Sequence, residues 1–198
     1  MTDAPSKPEK FRAFIALSLT NDGLDRLKAV IRPLKRHFEH KNIRWVPGQN
    51  FHITLAFLGH IPRFDIPALE SLMAGVSAAT KVFPVAVGPV TLFPNPKKAG
   101  LLVADVVLDA PLADLQARLY AALISDGYQL EDRPYRPHIT IARLKKTVIT
   151  ELPPVTDTAP VLNPITGIHL YQSESAVGGV VYSILKTELL TGKGKAAY

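Results

Sequence analysis

The chain has 198 residues, 47% of them apolar and 20% charged, with a formal net charge of +6 and no cysteine. That length is enough to bury a core, and the lack of cysteine excludes disulfides, cysteine-bound zinc and a cysteine nucleophile. No apolar run reaches the roughly 20 residues of a membrane span, and the basic balance favours anionic partners such as nucleic acid or nucleotides.

Residues 1–10 are polar, contain two prolines and lack the apolar segment of a secretory leader, so a disordered tail on a cytoplasmic protein is expected. Residues 11–19 read as a strand. Asn21 or Asp22 is placed to cap a helix running to about His37, with Leu24, Leu27, Val30, Ile31 and Leu34 at helical spacing. Pro33 should kink or divide that helix. A short strand at 43–46 and a turn at 47–50 precede a strand at 51–58. Gly59 to Pro62 leads into a helix at about 66–80. Residues 84–93 form a strand interrupted at Gly88-Pro89, 94–100 a loop, and 101–108 a strand. Pro111 opens a helix at about 112–126, which Gly127 ends. A charged loop at 131–137 delivers the strand that starts at His138. The proline-rich residues 148–164 read as a surface connection, 165–174 and 180–190 as strands joined around Gly178-Gly179, and 191–198 as a polar tail. Helices returning among short strands argue for one α+β domain over 11–190, with mostly antiparallel sheets.

One stretch occurs twice. Residues 52–58 read His-Ile-Thr-Leu-Ala-Phe-Leu, and residues 138–144 read His-Ile-Thr-Ile-Ala-Arg-Leu. In a strand, positions i and i+2 share a face, so His52 and Thr54 go together, as do His138 and Thr140. The repeat argues for two similar lobes around a cleft. Two imidazoles suit a reaction in which one proton is taken and another given, because their reference pKa lies near 6.5. Two hydroxyls can donate to anionic oxygens. This set matches a phosphodiester: a nucleophile on one side, a leaving group opposite, and non-bridging oxygens between. Arg143 would add a guanidinium, although i+5 from His138 points away in a regular strand, so it joins the site only if the strand bends or ends there.

Other chemistries fit less well. Each His-x-Thr offers one strong metal ligand, and the nearest acids in sequence, Asp65 and Asp132, lie outside both motifs, so no metal and no cofactor are expected. There is no Gly-x-Ser-x-Gly elbow and no phosphate-binding glycine loop. His37 and His40 read as surface residues at the end of a basic helix, His60 as a solvated turn residue, and His169 as a core or cleft residue.

His52-Ile-Thr-Leu-Ala-Phe-Leu-Gly59 and His138-Ile-Thr-Ile-Ala-Arg143 resemble the paired motifs of the two-histidine phosphoesterases. Within that superfamily they are most similar to the RNA 2′,3′-cyclic phosphodiesterase branch, also called 2′–5′ RNA ligase. Arg12-Ala-Phe-Ile-Ala16 resembles the first strand of that branch, Arg44-Trp-Val46 its second, and Leu170-Tyr-Gln-Ser-Glu174, with Gly179 and Tyr182, its C-terminal hairpin. The resemblance implies a bilobal α+β fold, with two pseudo-symmetric antiparallel sheets flanked by helices around a central cleft. It implies metal-free hydrolysis of RNA 2′,3′-cyclic phosphate ends to 2′-phosphates, and the reverse 2′–5′ ligation. In those terms His52 is the general acid and His138 the general base, while Thr54, Thr140 and Arg143 hold phosphate. The partners are then RNA ends or nucleotides bearing a 2′,3′-cyclic phosphate, and the protein is expected to act as a monomer. Another small cyclic phosphate, or a non-catalytic RNA- or nucleotide-binding role, stays open.

RNA ends are held by phosphate contacts and base stacking. Among Phe11, Phe14, Trp45, Phe51, Phe57, Tyr135 and Tyr171, the loop residue Tyr135 is the expected exposed aromatic. Arg44, Lys97, Lys98, Arg133, Arg136, Lys145 and Lys146 are the expected basic rim, with Tyr135, Arg44 and Arg136 the candidates nearest the motifs.

Overall fold

The computed structural model describes residues 9–144, 149–153, 159–177 and 179–191. Its strands are β1 (Lys10–Ser18), β2 (Ile43–Trp45), β3 (His52–Pro62), β4 (Phe83–Phe93), β5 (Leu101–Val106), β6 (His138–Leu144), β7 (Val161–Ile165), β8 (Gly167–Ala176) and β9 (Gly179–Leu189). Its helices are α1 (Asn21–His37), α2 (Ile66–Ala78) and α3 (Ala110–Ser125). The strands form one antiparallel sheet in the order β7-β4-β5-β6-β3-β1-β8-β9, with β2 also paired to β6. The two expected lobes are the halves of this order, four strands on each side of the junction between β6 and β3. That junction consists of a single residue pair, Ile53 with Ile139. Beyond it, the edge of β6 passes to β2 through Arg44–Arg143 and Trp45–Ala142. The two motif strands therefore meet at one point and then part.

One continuous core lies on the helix-covered face. It joins Ala13, Ile15, Leu17, Ile53, Leu55, Ile139 and Ile141 to Leu27, Ile31 and Leu34 of α1, Leu69 and Met73 of α2, and Leu112, Leu115, Leu119 and Leu123 of α3. Each of these large side chains contributes roughly 1.5–3 kcal/mol by leaving water. A separate cluster of Phe14, Ala16 and Tyr171, with Tyr182 packed on it, belongs to the opposite face. Alternation along β1 thus divides core from cleft.

Several local expectations are corrected. Thr20, not Asn21 or Asp22, caps α1: its Oγ1 accepts from Gly23 N at 3.2 Å. Asn163, fully buried in β7, accepts from Thr20 N (2.8 Å) and Thr20 Oγ1 (3.0 Å). A side chain at position 23 would run into that Asn163 carbonyl, at 2.3 Å, so glycine is needed there. Residues 161–164 of the expected surface connection 148–164 therefore belong to a strand, β7, with a structural task. Residues 148 and 154–158 of that stretch lie outside the described residues. Pro33 does not divide α1: it sits on the exposed side, while Ile31 and Leu34 keep the buried stripe intact.

β3 runs on to Pro62, paired with Lys10, so Gly59 and His60 are strand residues and not a turn. The first strand begins one residue earlier than expected: Lys10 lies in β1, and Glu9 pairs with Arg63 at 3.5 Å. Residues 1–8 and 192–198 lie outside the described residues. Among the described residues, no helix is long and apolar enough to cross a membrane.

Candidate active site

The junction pair explains how two distant motifs come together. Ile53 and Ile139 face each other in antiparallel register and are completely buried. Their flanking residues point to the other face. Antiparallel order then sets His52 opposite Thr140 and Thr54 opposite His138. A pseudo-twofold axis through the isoleucine pair relates the two His-x-Thr units.

Both motif strands carry a bulge at the same motif position. In β3, Ala16 pairs with Thr54 and Ile15 with Ala56, so Leu55 is the extra residue. In β6, Val103 pairs with Thr140 and Leu102 with Ala142, so Ile141 is the extra residue. A bulge resets the in–out alternation: both the fourth and fifth motif residues are buried, and the sixth, Phe57 or Arg143, returns to the cleft. This is the irregularity that lets Arg143, five residues after His138, join Thr140. A second shift in β3, at Leu58, ends at Gly59, whose φ of 71° suits glycine.

The cleft holds a cavity of about 270 Å³ whose walls include His52, Thr54, Thr140, Arg143, Phe57, Arg12, Arg44, Trp45, Asn50, Ser173 and Tyr182. Those walls bring three arginines and no carboxylate, which favours an anion. His138 lies outside this set of walls, although it is opposite Thr54 in register.

The two histidines are oriented by the same device. The Nδ1–H of His52 donates to Asn50 O at 2.8 Å, and that of His138 to Arg136 O at 2.9 Å. A carbonyl only accepts, so each bond fixes the proton on Nδ1 and leaves Nε2 to exchange protons. Each ring also lies 4.7 Å from a phenylalanine ring, Phe14 for His52 and Phe93 for His138. The surroundings differ otherwise. Tyr171 and Tyr182 complete a cage around His52, at 5.9 and 5.1 Å. Burial there pulls its pKa down to about 4; the bond to Asn50 opposes this, and the charge of His138 adds to it.

The rim candidates part company. Arg44 is in the cavity wall, and Gly179 leaves room for it: a Cβ there would sit 2.7 Å from its Nη2. Tyr135 is not an exposed rim aromatic. Its hydroxyl donates to Thr54 O at 3.1 Å, its ring packs on the core, and burial raises its pKa. Arg136 is drawn off the cavity by the Phe93 ring (4.7 Å), Pro94 O (3.1 Å) and Asp105 (3.7 Å). Arg133 pairs with Glu131. Lys97 and Lys98 are exposed in a short turn. Lys145 and Lys146 lie outside the described residues.

Sequence reasoning missed Arg12, Asn50, Ser173, Tyr182 and Phe93 as site residues. An arginine inside an otherwise apolar strand was a usable signal for Arg12. Asn50 acts through its backbone carbonyl, which no side-chain pattern reveals.

A family model described as LigT like Phosphoesterase matches residues 17–103 and 107–182. The chain belongs to the LigT-like phosphoesterase family. A Geobacillus stearothermophilus protein named RNA 2′,3′-cyclic phosphodiesterase is 32% identical over 130 residues, covering 66% of this chain but 41% of that protein. The chain thus spans less than half the length of that relative. An Archaeoglobus fulgidus protein of the same name is 26% identical over 184 residues, 92% of this chain and 94% of that one. Among solved structures, E. coli LigT complexed with phosphate is 25% identical, covers 93% of this chain and 99% of its own, and superposes with a TM-score of 0.69. The expected α+β fold around a cleft is that of LigT-like proteins.

Proposed function

We propose that this protein hydrolyses RNA 2′,3′-cyclic phosphate ends to 2′-phosphates, using His52 and His138 as a proton-transfer pair and no metal. The observation that carries this reading is the pseudo-twofold at Ile53–Ile139, which sets two His-x-Thr units against each other beside a carboxylate-free, arginine-lined cavity. The shared name of the relatives supports the substrate class, and the phosphate complex of E. coli LigT supports a phosphate as the group held.

In-line displacement at phosphorus needs a base on the entering side and an acid on the leaving side. His138 Nε2 takes the proton of a water as its oxygen attacks phosphorus. The P–O3′ bond breaks, and His52 donates its Nε2 proton to the departing O3′. Thr54, Thr140 and Arg143 hold the non-bridging oxygens, where hydrogen bonds to developing charge count most. With a 5′-hydroxyl in place of water as nucleophile and the same proton-transfer roles, the displacement gives a 2′–5′ link; the roles exchange only when O3′ attacks that link and expels O5′. Burial keeps His52 neutral in the free site. Its acidic form is therefore created on binding, when the anionic phosphate offsets the desolvation of the imidazolium.

The test is incubation of an oligoribonucleotide ending in 2′,3′-cyclic phosphate with the purified protein and EDTA. The expected product carries a 2′-phosphate. A 3′-phosphate product refutes the assignment of the leaving group, and loss of turnover with EDTA refutes metal independence. Binding without turnover points instead to a binding module.

A further inference from the structure

Five arginines are matched to carboxylates: Arg26 to Asp22, Arg63 to Glu9, Arg118 to Asp114, Arg133 to Glu131 and Arg136 to Asp105. Arg12 is different. It lines the cavity, and among the described residues no carboxylate pairs with it. Its guanidinium lies 4.7 Å over the Phe57 ring. A guanidinium stacked in this way keeps its N–H donors in its own plane, free to hold a further partner.

The position of Arg12 is set by the sheet. Phe14 stacks on His52, and Arg12 is two residues further along the same face of β1, a Cα separation of about 7 Å. Between the histidine and the arginine lies an aromatic floor: Phe14 and Phe57 are parallel within 7°, with centroids 6.4 Å apart. Arg12 pairs in register with Ser173, and Ser173 with Tyr182, so two hydroxyl-bearing residues of the cavity wall stand in the same row. The cavity wall therefore carries hydrogen-bond donors on either side of an apolar floor that suits a ribose and its base.

We infer that the Arg12 end of the cavity is a second phosphate subsite, which holds the phosphodiester joining the terminal nucleotide to its 5′ neighbour. This rests on the reading of the His52–His138 end as the site of the terminal phosphate. It makes the preferred substrate an oligoribonucleotide end, with the reacting phosphate and the next one upstream gripped together across one ribose.

Titration calorimetry with stable product-like ligands tests this without turnover: adenosine 2′-phosphate, adenosine 2′,5′-bisphosphate, and the dinucleotide ApA with a terminal 2′-phosphate. The second phosphate should tighten binding roughly ten-fold, as expected for a charge-assisted contact near solvent. The bisphosphate and the dinucleotide should share that gain. Arg12→Gln should abolish it and Arg12→Lys should keep part of it, in variants that melt as the parent does. In the parent alone, affinity for the dinucleotide should fall with salt more steeply than that for the monophosphate, by about 0.7 in log–log slope; equal slopes contradict the subsite. Equal affinities for all three ligands, or a gain that survives Arg12→Gln, overturns the inference. A gain for the bisphosphate alone overturns the assignment to the internal phosphodiester. Turnover of cyclic ends with equal affinities sinks the subsite and spares the reaction; an intact gain with no turnover does the reverse.

Discussion

The two halves of the site share a backbone plan and differ in environment. Each places a histidine at the start of a strand, fixes its Nδ1–H on the carbonyl two residues earlier, and packs its ring on a phenylalanine. The His52 half then closes in: Phe14, Tyr171 and Tyr182 surround the ring, and its sixth motif residue is Phe57. The His138 half is more exposed, with its ring packed on Phe93, and its sixth motif residue is Arg143. In the proposed scheme the symmetry serves in-line transfer, and burial sets His52 apart by lowering its pKa. A fully symmetric pair would offer two equivalent imidazoles and no division of labour.

The largest expected effects test whether both halves are needed. His52→Ala and His138→Ala should each lower kcat for cyclic phosphate hydrolysis by roughly 10²–10⁴-fold; near-normal turnover in either variant breaks the paired scheme.

Burial of His52 gives a second test, in stability. Its folded pKa of about 4 lies below the ordinary 6.5, so between those values the unfolded chain binds more protons than the folded one. Stability should then rise with pH through that window and fall as pH drops from about 6.5 to 4. That lowering corresponds to about 3 kcal/mol across the window. Thermal melts of the parent and His52→Gln over this range measure it. The variant should lose less stability on acidification, and identical slopes would show that the His52 cage does not exclude the charged form.

Thr54→Ala and Thr140→Ala probe the halves as phosphate holders. Each should cost roughly ten- to a hundred-fold in kcat, with comparable losses if the pseudo-twofold holds at the phosphate. Tyr135→Phe should cost about 1 kcal/mol in a denaturant titration, because it removes a donor to Thr54 O from a mostly buried place. No change would mean that this bond does not help fix the first motif strand.

The comparison also explains what could be read before any coordinates. The repeated His-x-Thr was legible because strand alternation places i and i+2 together whatever the surroundings. The first helix was legible from apolar spacing, and the buried Leu27, Ile31 and Leu34 follow it; the third was legible from Pro111 and Gly127 at its ends. The recruitment of Arg143 depended on a bulge at Ile141, which breaks the alternation by inserting one residue; the partner strand decides that register. β7 was hidden by Pro164 within it and Pro160 just before it, and its Asn163 contacts Thr20, 143 positions earlier. Tyr135 looked exposed because it stands in a charged loop, yet the carbonyl it reaches, Thr54 O, is 81 residues away in the chain. Arg136 looked like rim because its captors, Phe93, Pro94 and Asp105, are distant in sequence.

The proposed division of labour between the halves is tested most directly by changing the leaving group. A cyclic substrate with sulfur in place of O3′ expels a thiolate, which needs no proton to leave. With His52 as acid and His138 as base, His52→Ala should recover most of its lost rate on the sulfur substrate, while His138→Ala stays impaired because water must still be deprotonated. Equal defects of both variants on both substrates, or rescue of His138→Ala alone, would contradict that assignment.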